Sequence, residues 1–112
     1  MVDRLAGKTA VVVGAGQTPG ETIGNGRATA ILFAREGATV LCVDRRLESA
    51  AETVAMIEAE GGNASAYEAD ITQEAACQAL AAEAKARLGR IDILHNNVGI
   101  GRGDSSDRKS VV

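Results

Sequence analysis

Two hydrophobic spacings alternate along this chain: short unbroken aliphatic runs, and longer stretches in which apolar residues return every three or four positions. The first run, Thr9-Ala10-Val11-Val12-Val13, is apolar at consecutive positions and predicts a strand buried on both faces. A glycine-studded stretch from Gly14 to Gly26 follows, then an amphipathic run over 27–36. That run predicts a helix that starts near 24–27 and ends by Gly37. A second strand is expected over 39–43, ending on Asp44, and a second helix over 47–60, with Leu47, Ala50, Ala51, Val54 and Ile57 on one stripe. Gly61-Gly62 stops it. The third strand is placed at 64–69, followed by Asp70. Thr72 then stands as N-cap of a helix reaching Leu88, whose apolar face is Cys77, Leu80, Ala81, Ala84 and Leu88. A fourth strand, 91–95, leads into Asn96-Asn97-Val98-Gly99. Strand and helix in strict alternation predict an α/β fold, a doubly wound parallel sheet, and right-handed crossovers set the strand order 3-2-1-4. The crevice then opens between strands 1 and 4, where the order reverses. From residue 101 no apolar period remains, so 1–100 is read as the folded unit and 101–112 as a disordered tail.

The totals sharpen this picture. A chain of 112 residues fits one domain. Hydrophobic residues make up 46%, yet Phe33 and Tyr67 are the only aromatics, so the core must be aliphatic. A net charge of −3 lacks the basic footprint of a nucleic-acid binder. No stretch is long and apolar enough to span a bilayer and the first seven residues contain no apolar signal core, which together predict a soluble, cytoplasmic protein without a membrane partner. Cys42 and Cys77 are too far apart for a CxxC pair or a metal cluster, and both are expected as small buried hydrophobes.

The glycine stretch carries the candidate chemistry. A strand that ends in bare backbone and opens a helix leaves unpaired N–H groups near the positive end of the helix dipole, which attracts a phosphate. Asp44 closes the second strand roughly 20 residues past the glycines, where a dinucleotide fold needs an acceptor for a ribose hydroxyl. Gly14-x-Gly16 opens the stretch, and Gly20-x-x-x-Gly24-x-Gly26 forms a GxxxGxG further on. Combined with Asp70-Ile71 and Asn96-Asn97-Val98-Gly99, the chain resembles the short-chain dehydrogenase/reductase family over about residues 5–100. That family carries TGxxxGxG after strand 1 and NNAG after strand 4. Val13 stands in place of the usual threonine, Val98 in place of alanine, and six extra residues lengthen the turn.

The resemblance implies a Rossmann-like fold and a nicotinamide dinucleotide as cofactor. Residue by residue, it implies that Gly14, Gly24, Asn25 and Gly26 meet the pyrophosphate, and that Asp44, with Arg45 beside it, faces the adenosine ribose. Asp70 and Ile71 would meet the adenine, and Asn96, Val98 and Gly99 would line the cofactor between strands 1 and 4. A carboxylate about 4 Å from a 2′-phosphate costs roughly 1–4 kcal/mol, so NAD is favoured over NADP, with Arg45 and Arg46 as counterweights.

The family also implies hydride transfer between the cofactor and an alcohol or carbonyl substrate, with a serine and a Tyr-x-x-x-Lys pair moving the proton. Here Tyr67 is followed four places on by Ile71, so the chain has no such pair and is expected not to turn over alone. His95 is read as a packed side chain, not a base. A full member resembles a seven-stranded sheet that forms dimers or tetramers through helices beyond strand 4. Strand 4 is therefore expected to present an open edge bearing Ile91, Ile93 and Leu94. Two other readings stay open: a nucleotide-sensing module without catalysis, and a methyltransferase fragment binding S-adenosylmethionine. The methyltransferase reading expects an acid before the first glycine, where this chain has Val12 and Val13.

Overall fold

The computed structural model describes residues 4–16 and 25–96. Its elements run β1 (Thr9–Val13), α1 (Asn25–Arg35), β2 (Thr39–Asp44), α2 (Leu47–Ala59), β3 (Asn63–Glu68), α3 (Glu74–Leu88) and β4 (Ile93–Asn96). All strand pairs are parallel, and the order is β3-β2-β1-β4, as the alternation of periods predicts.

The central strands are apolar throughout because both faces are covered. Ala10, Val12, Val40 and Cys42 point to the side where α1 and α2 pack, joined there by Ala30, Ala34 and Ile57. Val11, Val13, Leu41 and Val43 point the other way, against Leu80 and Ala84 of α3. Each such Val or Leu taken out of water stabilises the fold by about 1.5–3 kcal/mol. One helix thus covers one face and two cover the other. Helix α1 ends as expected: Gly37 adopts φ 101°, a left-handed conformation that stops the helix without a steric penalty.

Several local expectations need correction. The buried stripe of α2 is Ser49, Ala50, Thr53 and Ile57, while Leu47 is 46% exposed and Ala51 faces solvent. The helix is rotated because polar groups at Ser49 and Thr53 have partners inside, which apolar periodicity does not register. Strand β3 begins and ends one residue earlier than expected. Gln73 stands at the N-cap position of helix α3 and makes no side-chain capping bond, while the Thr72 hydroxyl turns to Asp70. Strand β4 starts at Ile93, because Asp92 takes the N–H of Thr9 at 2.9 Å and holds the chain at the strand entrance. Ile93 packs on the α1 and α2 side, while Leu94, on the opposite face, and Ile91, at the strand entrance, remain exposed. Cys42 is buried and its thiol is pushed up to about 12 by desolvation, but Cys77 is exposed rather than buried.

Candidate functional site

Because the strands are parallel, their C-terminal ends gather at one end of the sheet. This places the turn Gly14 to Gly16, Asp44, Asp70 with Ile71, and Asn96 on one side of the molecule. Asn25 and Gly26 open α1 at the same end, beside the turn that leaves β1. Gly24, Val98 and Gly99, assigned to the site from sequence, lie outside the described residues, as do Asn97 and residues 101–112.

The turn after β1 is tied to β2 through every described amide. Gly14 and Ala15 both donate to the Val43 carbonyl, at 2.8 and 2.9 Å. The Gly16 N–H donates to Asp44 Oδ2 at 2.9 Å, and the Arg46 N–H donates to Asp44 Oδ1 at 3.0 Å. Asp44, half-buried, therefore has one backbone donor on each carboxylate oxygen. A carboxylate accepts about four hydrogen bonds, so lone pairs remain for a ligand.

Two glycines are required by close approach. A Cβ at Gly16 would stand 2.5 Å from the Ser49 Cβ and 2.8 Å from Asp44 Oδ2, so a side chain there would push α2 and the carboxylate away. A Cβ at Gly26 would stand 1.8 Å from the Gly14 carbonyl oxygen, so glycine lets the first turn of α1 lie directly on the turn leaving β1. With the amides at 14–16 engaged by β2, the donors that the described residues offer to an anion at this end come from the first turn of α1 and the positive end of its dipole.

Past β3, Asp70 Oδ1 accepts from the Thr72 hydroxyl at 2.6 Å and the Thr72 N–H at 3.0 Å. These bonds, with a smaller contribution from the charge of Arg45, hold the Asp70 carboxyl below the usual range, so it is ionised at neutral pH. The Ile71 carbonyl accepts from the Cys77 thiol at 3.2 Å, and Ile71 packs on the α3 side. Asn96 ends β4 next to Val13. Arg45 and Arg46 are exposed.

One cluster escaped the sequence reading. Arg27, in the first turn of α1, is only 5% exposed. Its Nε donates to Thr53 Oγ1 at 2.8 Å, and Nη2 donates to the Ser49 carbonyl at 3.2 Å and to Glu52 Oε1 at 3.0 Å. The Thr53 hydroxyl in turn donates to the Ala15 carbonyl at 2.7 Å. The only sequence signal was a pair of hydroxyl residues four apart, Ser49 and Thr53, in an otherwise Ala-rich helix. Tyr67 lies in β3, with the Arg87 guanidinium 5.4 Å from its ring centre. His95 packs edge-on against Phe33, with ring centres 6.4 Å apart. Among the described residues no group of three or more His, Cys, Asp or Glu side chains is placed to hold a metal ion.

Comparison with known proteins places this arrangement. A family model described as short chain dehydrogenase matches residues 8–111. The 7alpha-hydroxysteroid dehydrogenase of Escherichia coli K12 is 43% identical over 98 residues, which are 88% of this chain and 36% of that protein. The crystal structure of a short-chain dehydrogenase/reductase from Burkholderia xenovorans superposes with a TM-score of 0.82 at 45% identity, covering 94% of this chain and 41% of that one. A 7 alpha-hydroxysteroid dehydrogenase complexed with NADH and 7-oxo glycochenodeoxycholic acid gives a TM-score of 0.80 at 40% identity, over 95% of this chain and 39% of that one. A metagenomic short-chain oxidoreductase in complex with NADP gives 0.79 at 35% identity, over 88% and 42%. The chain spans about a third of the length of the curated relatives it matches.

Proposed function

The chain belongs to the short-chain dehydrogenase family, and from that premise we propose that residues 1–100 form the nicotinamide dinucleotide-binding part of an oxidoreductase acting on an alcohol or carbonyl substrate. Relatives of this fold are complexed with NADH in one case and NADP in another, so the choice between them rests on this chain's own residues. The observation that carries the reading is Asp44. Its carboxylate sits at the C-terminal end of β2 with each oxygen oriented by one backbone N–H, at 2.9 and 3.0 Å.

That arrangement fits a ribose. The vicinal hydroxyls of the adenosine sugar donate to the lone pairs that Gly16 and Arg46 leave free. A 2′-phosphate in the same place meets a fixed negative charge, at a cost of roughly 1–4 kcal/mol, so NAD is the proposed cofactor. Arg45 and Arg46 are exposed and lie on the same side, and they reduce this discrimination without abolishing it. Asn25 and Gly26 hold the pyrophosphate at the start of α1, and Gly14 and Gly24, without side chains, let it approach the backbone. Asp70 and Ile71 border the adenine, and Asn96, Val98 and Gly99 line the path of the cofactor along β4.

When bound, the nicotinamide supplies or accepts a hydride at the substrate carbon. This chain's residues bind and orient it; no described side chain is placed to move the substrate proton, since Tyr67 is stacked beneath Arg87 and His95 against Phe33. The 112-residue chain alone is accordingly proposed to bind without turnover. The two free cysteines and the absence, among described residues, of a helix able to cross a membrane suit a reducing cytoplasm.

Calorimetry on the folded chain tests the reading. NAD+ is expected to bind more tightly than NADP+, and Asp44→Ala to weaken NAD+ by roughly tenfold while narrowing the preference. Absence of heat with both coenzymes, or an Asp44→Ala variant that binds NAD+ unchanged, overturns it.

A further inference from the structure

The Ala15–Gly16 peptide group is held at both ends. Its carbonyl oxygen accepts from Thr53 Oγ1 at 2.7 Å, and its N–H donates to Asp44 Oδ2 at 2.9 Å. A peptide is planar, so fixing the carbonyl fixes the direction of the N–H on the opposite side. The Thr53 hydroxyl is itself oriented. It accepts from Arg27 Nε at 2.8 Å, which leaves its own proton for the Ala15 carbonyl, a much shorter contact than the 3.4 Å to the Ser49 carbonyl. Thr53 is fully buried and Arg27 nearly so.

From this geometry we infer that Thr53 and Arg27 are positioning residues for ribose recognition: they aim the Asp44 carboxylate through the Ala15–Gly16 peptide while touching no ligand themselves. This rests on the assignment of Asp44 to the ribose. The relay runs Arg27 to Thr53, Thr53 to the Ala15 carbonyl, and the Gly16 N–H to Asp44. Each step is a hydrogen bond between groups far apart in sequence; the first two are buried and the last, at Asp44, is partly buried. Glu52, largely exposed, anchors the Arg27 guanidinium from its other side at 3.0 Å and keeps the buried charge paired. Without the Thr53 hydroxyl the Ala15 carbonyl loses its buried donor, the peptide is free to rotate, and Asp44 loses one of its two orienting amides.

The test uses the 112-residue chain with Thr53→Val, Thr53→Ser, Asp44→Ala and the Thr53→Val/Asp44→Ala double variant, read by NAD+ calorimetry and by exchange of the Gly16 amide in NMR. Thr53→Val is expected to weaken NAD+ by roughly three- to tenfold and to expose the Gly16 amide to exchange, and Thr53→Ser to restore both. In the Asp44→Ala background Thr53→Val should add nothing. A general loss of stability would instead weaken binding in both backgrounds. If Asp44→Ala weakens NAD+ but Thr53→Val does not, or if the two losses add in full, the relay is wrong and the ribose assignment stands. If Asp44→Ala binds unchanged, the ribose assignment falls. Should Thr53→Val not fold, a Gly16 amide that exchanges unprotected in the wild-type and Thr53→Ser chains overturns the relay.

Discussion

The two outer strands of the sheet are finished in different ways. At β3, the Ala69 N–H reaches back to the Asp44 carbonyl, so by strand alternation the backbone groups of Tyr67 and Ser65 face β2 and the Ala66 carbonyl faces out. Arg87 of α3 covers that edge: it donates to the Ala66 carbonyl at 3.1 Å, reaches the Ser65 hydroxyl at 3.4 Å, and lays its guanidinium over Tyr67. Glu83, one helical turn back, steadies it at 2.6 Å. At β4 no described residue covers the outer side. Leu94 lies beside Val11 on the α3 face yet remains 47% exposed, and Ile91 at the strand entrance is 38% exposed. A charged side chain over an edge carbonyl discourages a further strand; an uncovered edge flanked by aliphatic side chains invites one. Among the described residues the sheet is covered at its β3 edge and uncovered at its β4 edge.

Removing the cover is expected to have the largest effect. Arg87→Ala should cost about 1–2 kcal/mol in urea unfolding, from one charged hydrogen bond and one cation–π contact at a partly exposed site, and should raise self-association by giving the molecule a second open edge. A change below a few tenths of a kcal/mol would mean that Arg87 merely rests on β3. Next comes acid. The Asp92 carboxyl is held below the usual range, first by the Thr9 N–H and then by Arg90, so its bond to β1 is present at neutral pH and is lost as pH falls through its lowered value. Below about pH 4, the Thr9 amide should shift with a titration that Asp92→Asn removes, and β4 should loosen before β3. A Thr9 amide indifferent to acid would contradict this. The smallest effect on stability belongs to Leu94→Lys, expected within about 0.5 kcal/mol of the parent because the side chain is half in water already. Light scattering should nevertheless show less association, and no change there would mean that the β4 edge is not what brings copies together.

Much of this was legible in advance. Unbroken aliphatic runs alternating with three-to-four spacing were enough for seven elements in the right order and the 3-2-1-4 sheet, because burial on two faces leaves a mark at every residue of a central strand. Asp44 stood out as a carboxylate ending an apolar strand. Less legible were the features that rest on polar groups meeting across the fold. Thr53 looks like a neutral helix position, and Arg27 like the solvent side of an amphipathic run. Leu47 and Ala51 sat on the apolar stripe of α2, yet both face outward, because satisfying Arg27 and the Ala15 carbonyl turns the helix toward Ser49 and Thr53. Cys77 matched the apolar period of α3 but sits in its exposed first turn, where its thiol reaches the Ile71 carbonyl.

Local chemistry alone determined the succession of strands and helices, the handed order of the sheet, and the end of it at which glycines and acids collect, since these follow from periodicity and from the twist of L-residues. Only the tertiary structure decided which face α2 buries, that Arg27 lies inside, and that the Ala15–Gly16 peptide is clamped between Thr53 and Asp44. Arg27 and Thr53 are 26 positions apart, and Thr53 and Ala15 are 38. Hydrogen bonds over such separations leave no periodic trace in the chain; they exist only once the hydrophobic layers have brought the helices onto the sheet and excluded the water that would otherwise satisfy the same groups.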